Sequence, residues 1–301
     1  MVRWTPVSEQ ALIERQPRER IGKAGRVLRR ILREPLGAFG LTLVVIVVLS
    51  ALFADVLTSY PPTKLAPAER FAPASLQHLL GTDHLGRDLF SRVLHGGRIA
   101  LAIALGATGL SLIGGIVLGL IAGYGPRWLD NLMLLLFDAI KSFPTVMLAL
   151  TLVTLTGPSL LAVLIVVVLV NVPGYARIIR TQTLVLKSAE HVMAARSMGA
   201  STARILTVHI LPNVIGPILI LASMDIPVVV AIEAGLSFLG LGVRPPLPSW
   251  GAILNDGFVN IRDSYWIVVA GGLPIILTTL GFTFLGETLR DVFDPRLKRR
   301  E

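Results

Sequence analysis

Cysteine is missing from all 301 residues. That excludes disulfides, Cys-ligated zinc and iron–sulfur clusters. Charge is scarce: Asp, Glu, Lys and Arg make up 16% of the chain against 53% hydrophobic residues, whereas a soluble domain carries about 25% charged residues. There is no G-x-x-x-x-G-K-[ST] run, so no phosphate-cradling loop and no ATP hydrolysis are expected in this chain. The five histidines (His78, His84, His95, His191, His209) form no H-E-x-x-H. Gly235-Leu236-Ser237-Phe238-Leu239 falls short of G-x-S-x-G, because Leu239 replaces the second glycine. A nucleophilic serine also needs a base within reach, and His209 lies at the other end of the same apolar run. No catalytic residue and no metal ligand set is assigned. The formal charge of +9 comes without an aromatic-rich basic motif, which argues against nucleic acid.

What the chain does have is long apolar blocks. About 20 apolar residues in a helix cross the hydrocarbon core of a bilayer. Six spans are expected, near 37–57, 98–122, 129–153, 158–179, 214–238 and 265–287. The second is rich in small residues (Gly106, Gly109, Gly114, Gly115, Gly119), which let helix backbones approach closely in lipid. The third carries Asp138, Lys141 and Pro144. The expected class is an all-α integral membrane protein.

Residues 1–35 are polar, with nine Lys/Arg against four Glu, and spaced apolar residues suggest a basic amphipathic helix on the membrane surface. The expected division is 1–35 as that segment, 36–97 as the first span plus a long outer segment, 98–288 as the five-span core, and 289–301 as a tail. Even span number puts both ends on one side. With that side inside, inner segments hold twenty Lys/Arg and outer segments seven (Lys64, Arg70, Arg87, Arg92, Arg98, Arg244, Arg262). The excess predicts both termini in the cytoplasm. No internal repeat is evident, which argues against two fused transporter halves.

The segment 189–217 is the most informative. It reads as a short helix, a glycine turn at Gly199, a second short helix, then a Pro-marked entry into the fifth span. Ala194, Ala195 and Gly199 would make a small, smooth surface with Arg196 and Arg204 at its rim. Residue chemistry alone fits either a partner's groove or a plain amphipathic loop on the membrane.

The segment resembles the "EAA" loop of ABC importer permeases, whose pattern is E-A-A-x3-G-x9-I-x-L-P. Ala194, Ala195, Gly199, Leu211 and Pro212 fall on it, while Met193 stands in place of Glu and His209 in place of Ile. His209-Ile210-Leu211-Pro212-Asn213 is similar to the dipeptide/oligopeptide/nickel branch of that family. So are Gly81-Thr82-Asp83-His84-Leu85-Gly86-Arg87-Asp88, Pro173-Gly174-Tyr175-Ala176-Arg177, the runs 233–242 and 245–251, and the tail Leu289 to Arg296. The resemblance runs in order over 35–297.

The resemblance implies a type I ABC importer permease fold in the bacterial cytoplasmic membrane. It implies a homologous second permease, two ATPase subunits that bind ATP and Mg, and an extracytoplasmic solute-binding protein. Residues 190–205 would then be the coupling region, with Met193, Ala194, Ala195, Arg196, Gly199, Arg204, His209, Leu211 and Pro212 as its residues. The imported solute would be a dipeptide, a longer peptide, a glutathione-like tripeptide or a nickel chelate. A polytopic membrane enzyme or scaffold is the alternative class.

Charges inside spans cost about 2.5–3.5 kcal/mol on insertion scales and tend to face a bundle interior. Asp225 and Asn171 are therefore pathway candidates. Asp138 and Lys141, three apart on one helical face, suit an ion pair with each other or, as further pathway candidates, a contact with the solute. Glu233, near the end of its span, suits a gate or a loop anchor. Asp83, Arg87 and Asp88 suit either internal bracing of the outer segment or contact with a binding protein.

Overall fold

Apolar runs broken by proline and glycine set where the helices start and stop. The computed structural model describes residues 19–293. Helix α1 (Glu19–Arg33) is followed by α2 (Pro35–Leu52), which starts on its own proline, and by the short α3 (Ala54–Leu57). The expected basic amphipathic segment is thus helical from residue 19, and its first eighteen residues lie outside the described part. A long connection then runs to α4 (Leu89–Tyr124). Asp88 starts α4 early, because its side chain accepts the Ser91 N–H at 2.7 Å and satisfies one of the free amides of the first turn. The helix is 36 residues long and begins well before the expected position 98.

The third expected span is two helices, α5 (Arg127–Lys141) and α6 (Thr145–Thr156), bent by 87°. Pro144 sits at the break, where its ring and missing N–H stop the helix before it. The uninterrupted span expected over 129–153 is corrected accordingly. Helix α7 (Leu160–Lys187) runs straight through Pro173, which is buried between neighbouring helices. Next come α8 (Glu190–Ser197), α9 (Thr202–Arg204) and a π-helical turn Ile205–Ile210 that leads into α10 (Leu211–Phe238). The loop expected over 239–264 contains a further helix, α11 (Trp250–Val259), capped by Ser249. Helix α12 (Trp266–Phe293) closes the described chain. Among the described residues, five helices are long and apolar enough to cross a membrane, or six if the bent pair counts as one span.

Helices α4 and α7 pack against each other most extensively. Gly115, Gly119 and Gly123 fall at intervals of four on α4 and face Tyr175–Ala176, Ile179 and Thr183 of α7. A Cβ on Gly119 would lie 2.7 Å from the Ile179 Cβ, so the backbones sit closer than any side chain permits. Of the other small residues singled out, Gly114 meets Val172 and Gly106 approaches Leu164, while Gly109 faces open space. The main core joins α2, α4, α7 and α10 through residues such as Val47, Ala104, Val166 and Val229.

The helices alternate in direction and give the bundle two ends. One carries the connection 58–88, α11 and the loop before it; the other carries residues 188–210. They are called the Asp83 end and the Gly199 end.

Candidate functional site

At the Asp83 end, Asp83 is 1% exposed and organises the connection before α4. Its Oδ1 accepts the backbone N–H groups of Leu85 (2.8 Å) and Arg87 (2.9 Å), and its Oδ2 accepts Arg87 Nε at 2.6 Å. Arg87 also donates to Asp256 of α11 at 3.2 Å. Arg92 lies 3.4 Å from Asp83 and 3.6 Å from Asp256. Two buried guanidinium groups thus face two carboxylates from distant parts of the chain. Burial pushes the Asp256 carboxyl above its usual range, opposed by His84, Arg92 and Arg87. Asp83, His84 and Asp256 bring possible ligand atoms within 4.8 Å of one another. Arg87 and Arg92 already take up both carboxylates, so this cluster suits an internal brace better than a cation.

Asp88 accepts His78 Nδ1–H at 2.8 Å, and the His78 ring stacks on Tyr60. Trp250 donates to the Val93 carbonyl (2.8 Å) and Trp266 to that of Leu80 (2.9 Å). Gly86 (φ +75°) packs on Ala66 so closely that a Cβ would overlap its backbone. Asp83, Arg87 and Asp88 thus serve internal bracing. Nearby, hydrogen bonds from Arg98 and then His95 hold exposed Asp55 below the usual carboxylate range.

Glu233 is fully buried. Its Oε1 accepts from Ser237 Oγ at 2.8 Å, and its Oε2 has no hydrogen-bond partner among the described residues. Ser237 in turn packs on Gly242, which joins the end of α10 to the following loop.

In the middle of the bundle, the Tyr175 hydroxyl donates to Asp225 at 2.5 Å and links α7 to α10. Asn171 lies one turn before Tyr175 and holds a buried Nδ2 without a hydrogen-bond partner among the described residues. Asp138 pairs with Arg177 of α7 rather than with Lys141. Both residues lie on α5, and the Arg177 guanidinium of neighbouring α7 takes Asp138 in place of Lys141. A turn away, Arg180 grips Asp130 with two nitrogens. Lys141 is exposed and forms no ion pair among the described residues.

At the Gly199 end, α8 closes on a left-handed glycine. Gly199 has φ +83°, its N–H donates to Arg196 O (3.0 Å), and the Ala200 N–H donates to Ala195 O (3.1 Å). Any other residue there would be strained by its Cβ. Val192 and Ala195 are buried, and Val192 shares a cluster with Ile205, Ile210 and Val214. Ala195 therefore belongs to the segment's inner side, not to the smooth outer surface expected of it. Met193, Ala194, Arg196 and Arg204 are exposed, with Met193 at 50% and neighbouring Met198 at 82%. Neither Arg196 nor Arg204 has an acidic partner among the described residues. His209 sits in the π-helical turn with its ring 6.3 Å from that of His191. Leu211 and Pro212 open α10.

Residues 115–299 match the family model described as "Binding-protein-dependent transport system inner membrane component". The chain belongs to that family of ABC importer permeases. Residues 24–75 match a second model, the N-terminal TM domain of oligopeptide transport permease C. The permease is 38% identical over 270 residues to the dipeptide transport system permease protein DppC of Alkalihalophilus pseudofirmus, covering 90% of this chain and 89% of that one. It is 37% identical over 265 residues to the di/tripeptide transport system permease protein DppC of Pseudomonas aeruginosa (86% and 88%). It is 38% identical over 272 residues to the glutathione transport system permease protein GsiD of Pectobacterium atrosepticum (90% and 90%). A chain of the MetNI methionine ABC transporter superposes with a TM-score of 0.53 at 16% identity, over 67% of this chain and 97% of that one, and shares the fold. The permease is a multi-pass bacterial inner-membrane protein and a transport subunit rather than an enzyme.

Tyr175, Asp256, Asp130 and Arg180 were not singled out by sequence. Tyr175 stood inside a family motif with no role attached. The others gain theirs only from contacts made across the bundle.

Proposed function

We propose that this permease forms one half of an import pathway for short peptides or glutathione-like solutes. A homologous permease supplies the other half. Two ATPase subunits bind ATP and Mg and dock on the Gly199 end, and a solute-binding protein docks on the Asp83 end. The solute class follows from what the relatives are named for. The twenty-to-seven excess of basic residues supports a cytoplasmic Gly199 end. In this reading the basic first segment lies on the inner membrane surface, and the core begins with α4 at Leu89 rather than at the expected 98.

The observation that carries the proposal is the shape of residues 190–204. One side of this segment is anchored in a buried cluster, while the other presents Met193, Ala194, Arg196 and Arg204 without internal partners. A rigid, half-anchored helix passes on a push from a docked subunit, and packed helices respond by switching between discrete arrangements. Asp225 and Tyr175, joined by a hydrogen bond, and Asn171, one turn before Tyr175 on α7, are the proposed polar lining.

The test uses the full complex in nanodiscs. Replacing both arginines, Arg196→Glu with Arg204→Glu, should weaken retention of the ATPase subunits by about tenfold or more. Stability of the permease itself should change by no more than about 0.5 kcal/mol, as for other exposed sites. Normal retention together with normal binding-protein-stimulated ATP hydrolysis would overturn the docking assignment.

A further inference from the structure

A cavity of about 310 Å³ opens at the Asp83 end, between the junction of α6 with α7 and the loop after α10. Its walls are Leu160, Val243 and Leu247, and its polar groups are Thr156, Ser159 and Arg244. Arg244 is its one charged group, and no ion pair among the described residues involves it. That contrasts with Arg87, Arg92 and Arg98 at the same end, each of which faces a carboxylate of this chain.

Arg244 is held in place rather than loose. Gly157 has φ +77°, and the Arg244 guanidinium occupies the space a Cβ would need. On the other side, Val243 is buried, and the Leu247 N–H donates to the Arg244 carbonyl at 3.3 Å. The two hydroxyls differ in what they have left to offer. Ser159 Oγ accepts the Ala162 N–H at 3.1 Å, so its own hydrogen remains free to donate. Thr156 donates to Leu152 O at 3.0 Å, so it keeps only lone pairs. The cavity therefore presents a cation and a hydroxyl donor, a nearby acceptor, and apolar walls. A carboxylate next to an amide N–H and a short apolar side chain fits that set. The volume lies at the lower end of the roughly 300–1,000 Å³ typical of small-molecule sites.

We propose that this cavity binds the carboxylate end of a small solute, namely a short peptide with a free C-terminus. This rests on the importer reading above and adds a specific contact to it. Arg244 and Ser159 take the carboxylate, Thr156 accepts from the peptide N–H, and Leu160, Val243 and Leu247 surround the last side chain.

Because this chain has no cysteine, a single introduced thiol can be followed on this subunit alone, separated from its partners after labelling of the assembled complex in nanodiscs. A single Leu247→Cys places a thiol in the cavity wall. A sulfonate-bearing methanethiosulfonate should label it about fivefold faster than a trimethylammonium-bearing one, after correction for each reagent's rate with a free thiol. Arg244→Ala should abolish that preference, and Arg244→Lys should retain it. Millimolar alanyl-leucine should slow labelling about threefold, as expected for a weak site near half saturation or above, while alanyl-leucine amide should not. Gly157→Ala, which displaces the guanidinium, should remove the protection. Equal protection by acid and amide, no protection by either, or full protection after Arg244→Ala would each overturn the proposal. Peptide uptake with the binding protein, measured in parallel, separates the two readings. Uptake without acid-selective protection sinks the cavity site alone, and protection without uptake of any solute sinks the importer assignment alone.

Discussion

The two ends of the bundle use charge in opposite ways. At the Asp83 end, Asp83, Arg87 and Arg92 are buried and each faces a partner of opposite charge within the chain, while buried Asp88 accepts hydrogen bonds from His78 and the Ser91 N–H. At the Gly199 end, Arg196 and Arg204 are exposed, and Met193 and Met198 project outward. Both ends are rigid, by different means. The first is locked by ion pairs and by Trp250 and Trp266 reaching across to backbone carbonyls. The second is locked by an apolar cluster under α8 and a glycine-closed turn. Charges paired inside a chain build a platform and have little left for a partner. Unpaired ones on a rigid base remain free for another molecule. Arg244 and its cavity are the exception at the paired end, which is why they attract a ligand assignment.

Asp83→Ala strikes the paired end hardest. It would leave Arg87 and Arg92 buried with Asp256 as their main counter-charge. Breaking a buried pair by removing one partner costs about 3–5 kcal/mol. The expected result is a large fall in unfolding midpoint and in yield of folded protein, read by thermal unfolding in detergent. Near-normal stability would show that the cluster does not hold the platform together.

Tyr175→Phe comes next and probes the region between the ends. It removes the donor to Asp225 while keeping the ring in the cluster around α8. A half-buried carboxylate that loses its hydrogen bond costs about 1–3 kcal/mol. A fall in peptide uptake beyond what this destabilisation explains is expected if Asp225 lines the path. An unchanged uptake rate at matched amounts of folded complex would remove Asp225 from the lining.

The spans were legible in the sequence because hydropathy and length directly reflect the cost of placing a backbone in lipid. Pro144 was visible, but a proline in a span kinks it, breaks it or, like Pro173, passes through unnoticed. Only the surroundings decide, and here Arg177 and Arg180 of α7 hold Asp138 and Asp130 of α5, before the break at Pro144. Asp138 with Lys141 was a sound local expectation that a contact across 39 residues overrode. Ala195 was misplaced for a similar reason, since which face of a short helix is buried depends on what lies beneath it. Asp256 carried no local signal at all.

Met193→Glu is the mildest change, and it isolates what the unpaired end needs from a partner. Glu is the residue the family pattern has at this position, and here a half-exposed methionine takes its place. Within the chain, the new carboxylate would sit three residues before Arg196, a spacing worth about 0.2–0.5 kcal/mol on a helix. Stability should therefore hardly move. Methionine is unbranched and adapts to an irregular groove, so the proposed contact with the ATPase subunits needs no charge at this position. Restoring the carboxylate would add at most an exposed ion pair of about 0–1 kcal/mol, which is no more than a fivefold gain in retention. Stimulated ATP hydrolysis in the reconstituted complex should stay within that range. A gain of tenfold or more would mean that the docked partner holds a buried cation opposite residue 193. A loss of tenfold would mean that the partner's groove at this point is apolar and closely fitted to the thioether.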